Sequence, residues 1–508
     1  VAQGDTLLQL AGRIREGSGP LRLEVDKGLF QLGTQRWSLA SRAVLHWGPS
    51  HLRAEELRVR SQTGGWVLSG GVDSLGVLDL EVDLEAGDLA LLAHLGLGPE
   101  DLEGRLDGTV HLGGDVDVPR LEVDLEADQL RGFGRRLDKL RVDARLREGV
   151  LQVDSLRVES PQGRMWVDGR LDLGPPGTLR RLVEDPASWR QVAEPARPDL
   201  RLRLEDLNPR YWRDPGDESE TWGRASGAVT VQGTLASPRL EGEVVVARLV
   251  TGAGLLTLPG VVTRLESDGR RLRLTDGQIL APEPWLLFEA SLPLSLSALQ
   301  APRWQAEEGV EIELSSGGET DVAPLGVVME HFSELGGRME VLYRAEGTPS
   351  DPRLSGYVRV RDGVVQLEGS LERLRDVELE AAFRDGVLRI EKAQAAEGLK
   401  GTVHAQGEVR FVGLLPDDVS LDIQADRFLF ASFLHLRALL HTDDMRMTLV
   451  RPAPGASRRP WFTGTLDVIK ARYTGEFGVE QPGGALGGTT EPSWLASFRL
   501  RAPRTVRI

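Results

Sequence analysis

The sequence contains no cysteine. That removes thiolate metal sites, disulfide staples and cysteine nucleophiles together, and it fits a reducing or an oxidising compartment equally. Aromatic residues make up only 5% of the 508 residues, and four are tyrosines. The longest apolar runs, such as LALLAHLGLG near residue 95, are about half of what a helical bilayer crossing requires. Positive charge is in deficit: 61 Lys and Arg stand against 77 Asp and Glu, a formal net charge of −16. The basic footprint of a nucleic-acid partner is therefore missing, and attraction to anionic headgroups is not a driving force. The chain opens on valine and closes on the strand-like ASFRLRAPRTVRI, which suggests a piece of a longer protein whose leader or anchor would lie elsewhere.

Enzyme signatures are missing as well. There is no phosphate loop of the Walker type, no G-x-S-x-G elbow and no H-E-x-x-H pair. The eight histidines are scattered. The one local group that could suggest a metal is His435 with His441 near Asp443 and Asp444, and its spacing does not aim both rings at one point. Carboxylates are plentiful, but in alternating strands they fall on the wet face, where solvation is the ordinary explanation. The expectation is a protein without catalysis, cofactor or metal.

What the sequence does contain is alternation. LRLEVD at 21, LEVDLEA at 80 and again at 121, LRLRLED at 200 and VELEAAF at 377 place an apolar residue at every second position, the period of a half-buried strand. The residues between are mostly Arg, Asp and Glu, so each strand has one dry and one solvated face, as in antiparallel sheet. Gly with a polar neighbour marks turns around Gly149, Gly269 and Gly386. With 59 Gly and 28 Pro taken as punctuation, strands of about eight residues give on the order of 40 strands.

One phrase recurs. It reads PRLEG from Pro238, PRLSG from Pro352 and PWFTG from Pro460, with PRLEV from Pro119 as a variant, at proline spacings of 119, 114 and 108 residues. Gly114, Gly233 and Gly347 stand five residues before the first three prolines in chain order. These prolines and glycines read as fixing the start of a strand, without a ligand role. Each phrase follows a strand and a short segment of helical character: LALLAHLG, LNPRYWRD, PLGVVMEHF and FASFLHLRALL. In the third, Leu325, Val328, Met329 and Phe332 share one helical face. The segments Leu325 to Phe332 and Phe430 to Leu440 could cover the sheet or plug it. The repeat divides the chain into residues 1–105 (a partial unit), 106–224 (with a Pro-rich insertion, GPPGTLRRLVEDPASWRQVAEPARPD), 225–337, 338–428 and 429–508 (a partial unit). These are units of one continuous structure rather than independent domains. EQPGGALGGTTEP near 485 reads as a flexible loop.

A sheet with one apolar face must cover it. Tandem sandwiches of about 110 residues would do so, making the chain an adhesin-like surface or structural repeat protein. The low aromatic content, the lack of linkers and the unbroken hairpin rhythm favour instead one long antiparallel sheet curled into an open apolar groove. A β-helical polysaccharide lyase is disfavoured by the lack of stacked rungs. An open groove exposes more apolar surface than a soluble monomer normally shows, so it should hold something. Acyl chains fit, because their burial at roughly 0.8 kcal/mol per methylene is non-directional and needs no polar motif. The dry-face positions beside the repeated phrases are the candidate lining: Val110, Leu112, Leu121, Val123, Leu125, Val229, Val231, Leu240, Val244, Val246, Leu354, Val358 and Val360. The competing reading of these residues is an ordinary closed core.

The order of short helix, strand, G-x4-PRL-x-G and hairpins resembles the repeats of the TamB and AsmA-like family of diderm bacterial envelopes. The resemblance covers nearly the whole chain and rests on rhythm and phrase rather than on signature residues. It implies a β-taco groove conducting phospholipid across the periplasm or assisting outer-membrane assembly. It also implies an inner-membrane anchor and an outer-membrane barrel partner of the Omp85 type. The family's anchor and its C-terminal domain have no counterpart in these 508 residues, so the barrel contact maps to no residue here. A single ladder of the expected strands would run on the order of 190 Å.

Overall fold

The structure is a computed structural model. It describes residues 7–15, 20–32, 35–48, 51–62, 64–89, 102–115, 118–132, 135–175, 191, 193–208, 222–251, 256–281, 283–297, 302–305, 307–328, 332–367, 373–397, 401–431, 436–450, 459–473 and 495–502.

The first strands are β1 (Leu7–Arg15), β2 (Leu21–Leu32), β3 (Gln35–Leu39), β4 (Ala43–Gly48), β5 (His51–Arg60), β6 (Gly65–Val72), β7 (Val77–Asp88) and β8 (Glu103–Asp115). Then come β9 (Val118–Gly132), β10 (Arg135–Arg147), β11 (Val150–Ser160), β12 (Gly163–Asp172), β13 (Arg197–Leu207) and β14 (Trp222–Gly233). They are followed by β15 (Pro238–Thr251), β16 (Leu256–Ser267), β17 (Leu272–Leu280), β18 (Pro284–Leu292), β19 (Leu294–Ser295), β20 (Arg303–Trp304), β21 (Val310–Ser315) and β22 (Thr320–Asp321). A helix α1 (Leu325–Val328) precedes β23 (Phe332–Thr348) and β24 (Asp351–Leu367). The last strands are β25 (Leu374–Arg384), β26 (Val387–Glu397), β27 (Gly401–Val412), β28 (Leu415–Ala431), β29 (Leu436–Val450), β30 (Arg459–Tyr473) and β31 (Leu495–Arg501).

The protein is all-β, as the alternation predicts. A single sheet takes in 29 of these strands, and β19 with β20 forms a separate two-stranded ribbon. Almost every strand pairs antiparallel with its chain neighbours. Two rows are composite: β3 and β4 share one edge of β2, and β21 and β22 share one edge of β23. The exception to antiparallel order is β31, which adds parallel to β30. The unit boundaries after residues 105, 224, 337 and 428 all fall inside strands, namely β8, β14, β23 and β28.

The repeated phrase now has a structural meaning. Gly114 pairs with Pro119, Gly233 with Pro238 and Gly347 with Pro352, so glycine and proline close a hairpin loop as cross-strand partners. The proline sits where a missing N–H costs least, at the start of a strand. Counting rows of pairing, β9, β15, β24 and β30 are each six rows apart, an advance of about 29 Å per unit. The strand β2 lies six rows before β9 and follows Pro20. Its PLRLEV is a fifth copy that one inserted residue conceals from the sequence.

The described strands are fewer and longer than the expected 40, reaching 17 residues in β23, β24 and β28. The reason is that several glycines taken as breaks lie within strands. At Gly356 φ is +127° and a β-carbon would come within 2.0 Å of the Leu342 carbonyl oxygen, so the neighbouring backbone occupies the place of a side chain. Gly356→Ala is expected to cost about 1–3 kcal/mol of stability, read as a lowered denaturant midpoint.

The rim opposite the proline hairpins carries a line of bulges. Ala86, Asp206, Asp276, Asp362 and Arg427 have φ between 48° and 52°, and each falls at a register shift in a strand running away from the proline rim. A bulge bends its strand and increases local twist. Such bulges recur towards the far ends of these strands, 1 to 5 residues before each strand ends.

Two helical expectations are corrected. Of the stretch Leu325 to Phe332, the described residues are helical over α1, and Phe332 begins β23, where it pairs with Leu367; residues 329–331, Met329 among them, lie outside the described residues. The stretch Phe430 to Leu440 is not helical where described. It belongs to β28 and β29, whose pairs Phe430 with Ala438 and Leu429 with Leu439 satisfy the backbone that a helix would otherwise have to. The segments LALLAHLG and LNPRYWRD, most of the Pro-rich insertion and the loop near 485 lie largely or wholly outside the described residues.

Candidate functional site

In an antiparallel ladder, directly opposed residues project from the same face, so the pairing register shows which side chains run together along the sheet. One lane passes from Leu57 through Leu68, Val82, Val110 and Val123 to Ala144. It continues through Val153, Gly169, Leu200, Val231 and Leu240, interrupted in polarity only at Ser267, and reaches Leu272 and Leu292. A second begins at Leu39, Val59, Trp66 and Leu84, and includes Leu125, Val142, Val167, Leu202 and Val229. It then crosses Gly242, Leu265, Leu274 and Ala290 and ends through Ile312 and Ala345 at Leu354.

The remaining candidates lie on parallel lanes. Leu112 and Leu121 stand between Leu80 and Leu146. Val244 lies in register with Gly227 and Thr263, and Val246 with Ala225 and Val261. On the C-terminal side, Val358 joins Val341 to Ala381, and Val360 joins Met339 to Leu379. Twelve of the thirteen positions thus have an apolar side chain directly in register, and Val244 stands between Gly227 and Thr263. Lane members remote from the phrases, such as Trp66, Val142 and Ile312, were not among the candidates. Their alternation was visible, but only register assigns them to a lane.

Burial differs among these positions. Val229, Val231 and Leu354 are buried, whereas Val110, Leu112, Leu121, Val123, Leu125, Leu240, Val244, Val246, Val358 and Val360 are only half-buried. Compact clusters are local: one joins Ile279, Trp285, Leu286, Val322 and Met339, and a smaller one joins Ala438, Leu440 and Val468.

The opposite face is held by cross-strand ion pairs. Arg147 meets Glu122 at 2.8 Å, Arg170 meets Asp199 at 3.1 Å, Arg344 meets Glu313 at 2.9 Å and Arg446 meets Asp422 at 2.8 Å. Such exposed pairs contribute about 0.2–1 kcal/mol each at best; their main effect is to keep this face hydrated. The buried carboxylates are engaged as well. Glu24 is 2% exposed and is met by Arg42, by Arg22 at 3.2 Å and by Arg15 at 3.5 Å, and Glu397 accepts the Leu429 N–H.

His435 lies outside the described residues. The His441 ring faces Asp443 through Nε2 and Asp426 through Nδ1, each at 3.1 Å. The bond to Asp443, and after it that to Asp426, raises the imidazole above the ordinary histidine value. Asp444 turns away to accept from the Thr465 N–H at 2.8 Å and its hydroxyl at 3.0 Å. Among the described residues no group of three or more His, Asp or Glu converges as a metal site would.

No helix among the described residues is long and apolar enough to cross a membrane. Compared with known proteins, the chain matches no family model and no curated protein.

Proposed function

We propose that this chain is a non-catalytic lipid-transfer element whose apolar face conducts phospholipid acyl chains along the axis of the sheet. The observation that carries this reading is the set of in-register apolar lanes whose side chains, Leu112, Leu121 and Val123 among them, remain half-exposed. A hydrocarbon tail laid along such a lane gains roughly 0.8 kcal/mol per buried methylene wherever it lies, so it can slide without a specific polar partner. The line of far-rim bulges supports curling of the sheet into a groove around the tails. The resemblance of the repeats extends the proposal to the periplasm of a diderm envelope, with an inner-membrane anchor and an Omp85-type barrel as partner. Tandem sandwiches would fill their interiors and interrupt the ladder between units, and the unbroken pairing through β8, β14, β23 and β28 favours the conduit over that rival. Native mass spectrometry of the purified chain tests the reading: several phospholipids per chain are expected, and a lipid-free soluble monomer would overturn it.

A further inference from the structure

The pairing leaves a gap on the bulge rim. The hairpin of β17 and β18 turns back at Leu280 and Pro284, and β16 meets it only from Gly260 onward. The first four residues of β16 pair with β15 through Leu256, Thr257 and Leu258 but, among the described residues, have no strand partner on the β17 side. On the far side of the gap, β23 meets β22 only at Arg338 and Met339. The two flanks, four rows apart, would lie about 19 Å from each other in a flat sheet. Residues 322–328 fill this space, and α1 lies close to both β16 and β23.

The filling is slight. Pro324 precedes a helix of four residues, far too short to hold itself together. It is fixed by the Val322 N–H donating to the Gly337 carbonyl at 3.0 Å, and by the Trp285 indole donating to the Asp321 carbonyl at 2.8 Å. Leu325 packs on the cluster of Ile279, Leu286 and Met339, residues that belong to the apolar lanes on either side. Upstream lie Gly317 and Gly318, with φ of +66° and +141°, and a β-carbon on Gly318 would meet nothing within 4 Å.

Resting on the conduit reading, we infer that residues 322–328 are a movable panel over a lateral port, through which a hydrocarbon tail reaches the apolar face without threading from an end of the sheet. Outward displacement of α1 uncovers Ile279, Leu286 and Met339, which would then take the tail in place of Leu325.

The absence of cysteine allows a direct test. A β-carbon on Gly326 would lie 3.8 Å from that of Leu335 on the β23 flank, within the roughly 3.5–4.5 Å range of a disulfide. The double variant Gly326→Cys, Leu335→Cys is oxidised to lock the panel and reduced to free it. Uptake of pyrene-labelled phosphatidylcholine from vesicles is then followed for both forms and for the unaltered chain. Oxidation is expected to slow uptake by about tenfold or more, with the reduced form matching the unaltered chain, as for an enclosing element that gates exchange. Equal uptake by the locked and free forms would overturn the port and leave the conduit standing. Failure of the unaltered chain to take up any lipid would overturn the conduit, and the port with it.

Discussion

Replacing Leu121, Val123 and Leu125 together by glutamate is expected to strip bound lipid from the N-terminal third of the sheet while leaving the fold intact. These residues lie on one strand, β9, and each sits on a different lane, opposite Leu112, Val110 and Gly108 respectively. In a closed core, three carboxylates without partners would each cost several kcal/mol and the chain would unfold. Here all three positions are half-buried, so a glutamate can carry its charge into water. A tail crossing that row would lose contact over about four methylenes, about 3 kcal/mol or roughly a hundredfold in local affinity. Circular dichroism and the thermal midpoint should change little, and the phospholipid count by native mass spectrometry should fall. Loss of the β signal would show that the interior is filled by its own side chains.

The second large effect is expected at Trp285, which is 7% exposed at the centre of the larger cluster. Trp285→Ala removes the indole from among Ile279, Leu286, Val322 and Met339 and abolishes the hydrogen bond to the Asp321 carbonyl. A cost of about 3–5 kcal/mol is expected. Trp285→Phe keeps most of the packing and should lose about 1 kcal/mol, the usual net contribution of one hydrogen bond. Because each strand touches mainly its neighbours, the loss should remain regional. Hydrogen exchange should accelerate from β16 to β23 and remain unchanged from β9 to β12; uniform acceleration would contradict a chain of nearest-neighbour contacts.

Much of this architecture was legible in the residues. Alternation marked the strands, and the glycine five residues before each of three prolines marked the start of a strand; that the two are cross-strand partners closing a hairpin emerged only from the pairing. Glycine was the ambiguous letter. Gly149 and Gly386 occupy two-residue turns, whereas Gly108 and Gly356 lie within strands, and local sequence does not distinguish the two uses. The bulges were invisible for a related reason: Asp206 and Arg427 adopt positive φ because of how two strands fall into register, a non-local circumstance. The apolar run around Phe430 suited helix as well as strand, and cross-strand pairing decided between them. The lanes share this logic, since periodicity assigns a residue to a face but only register gives it its neighbours along the axis.

The six-row repeat makes the molecule a ruler with interchangeable segments. Inserting or removing one segment would change its span by about 29 Å while presenting the same surface at the new joint, since every junction is built from the same kind of edge-to-edge contact. Reach could therefore be adjusted by duplication alone, without redesigning any one segment.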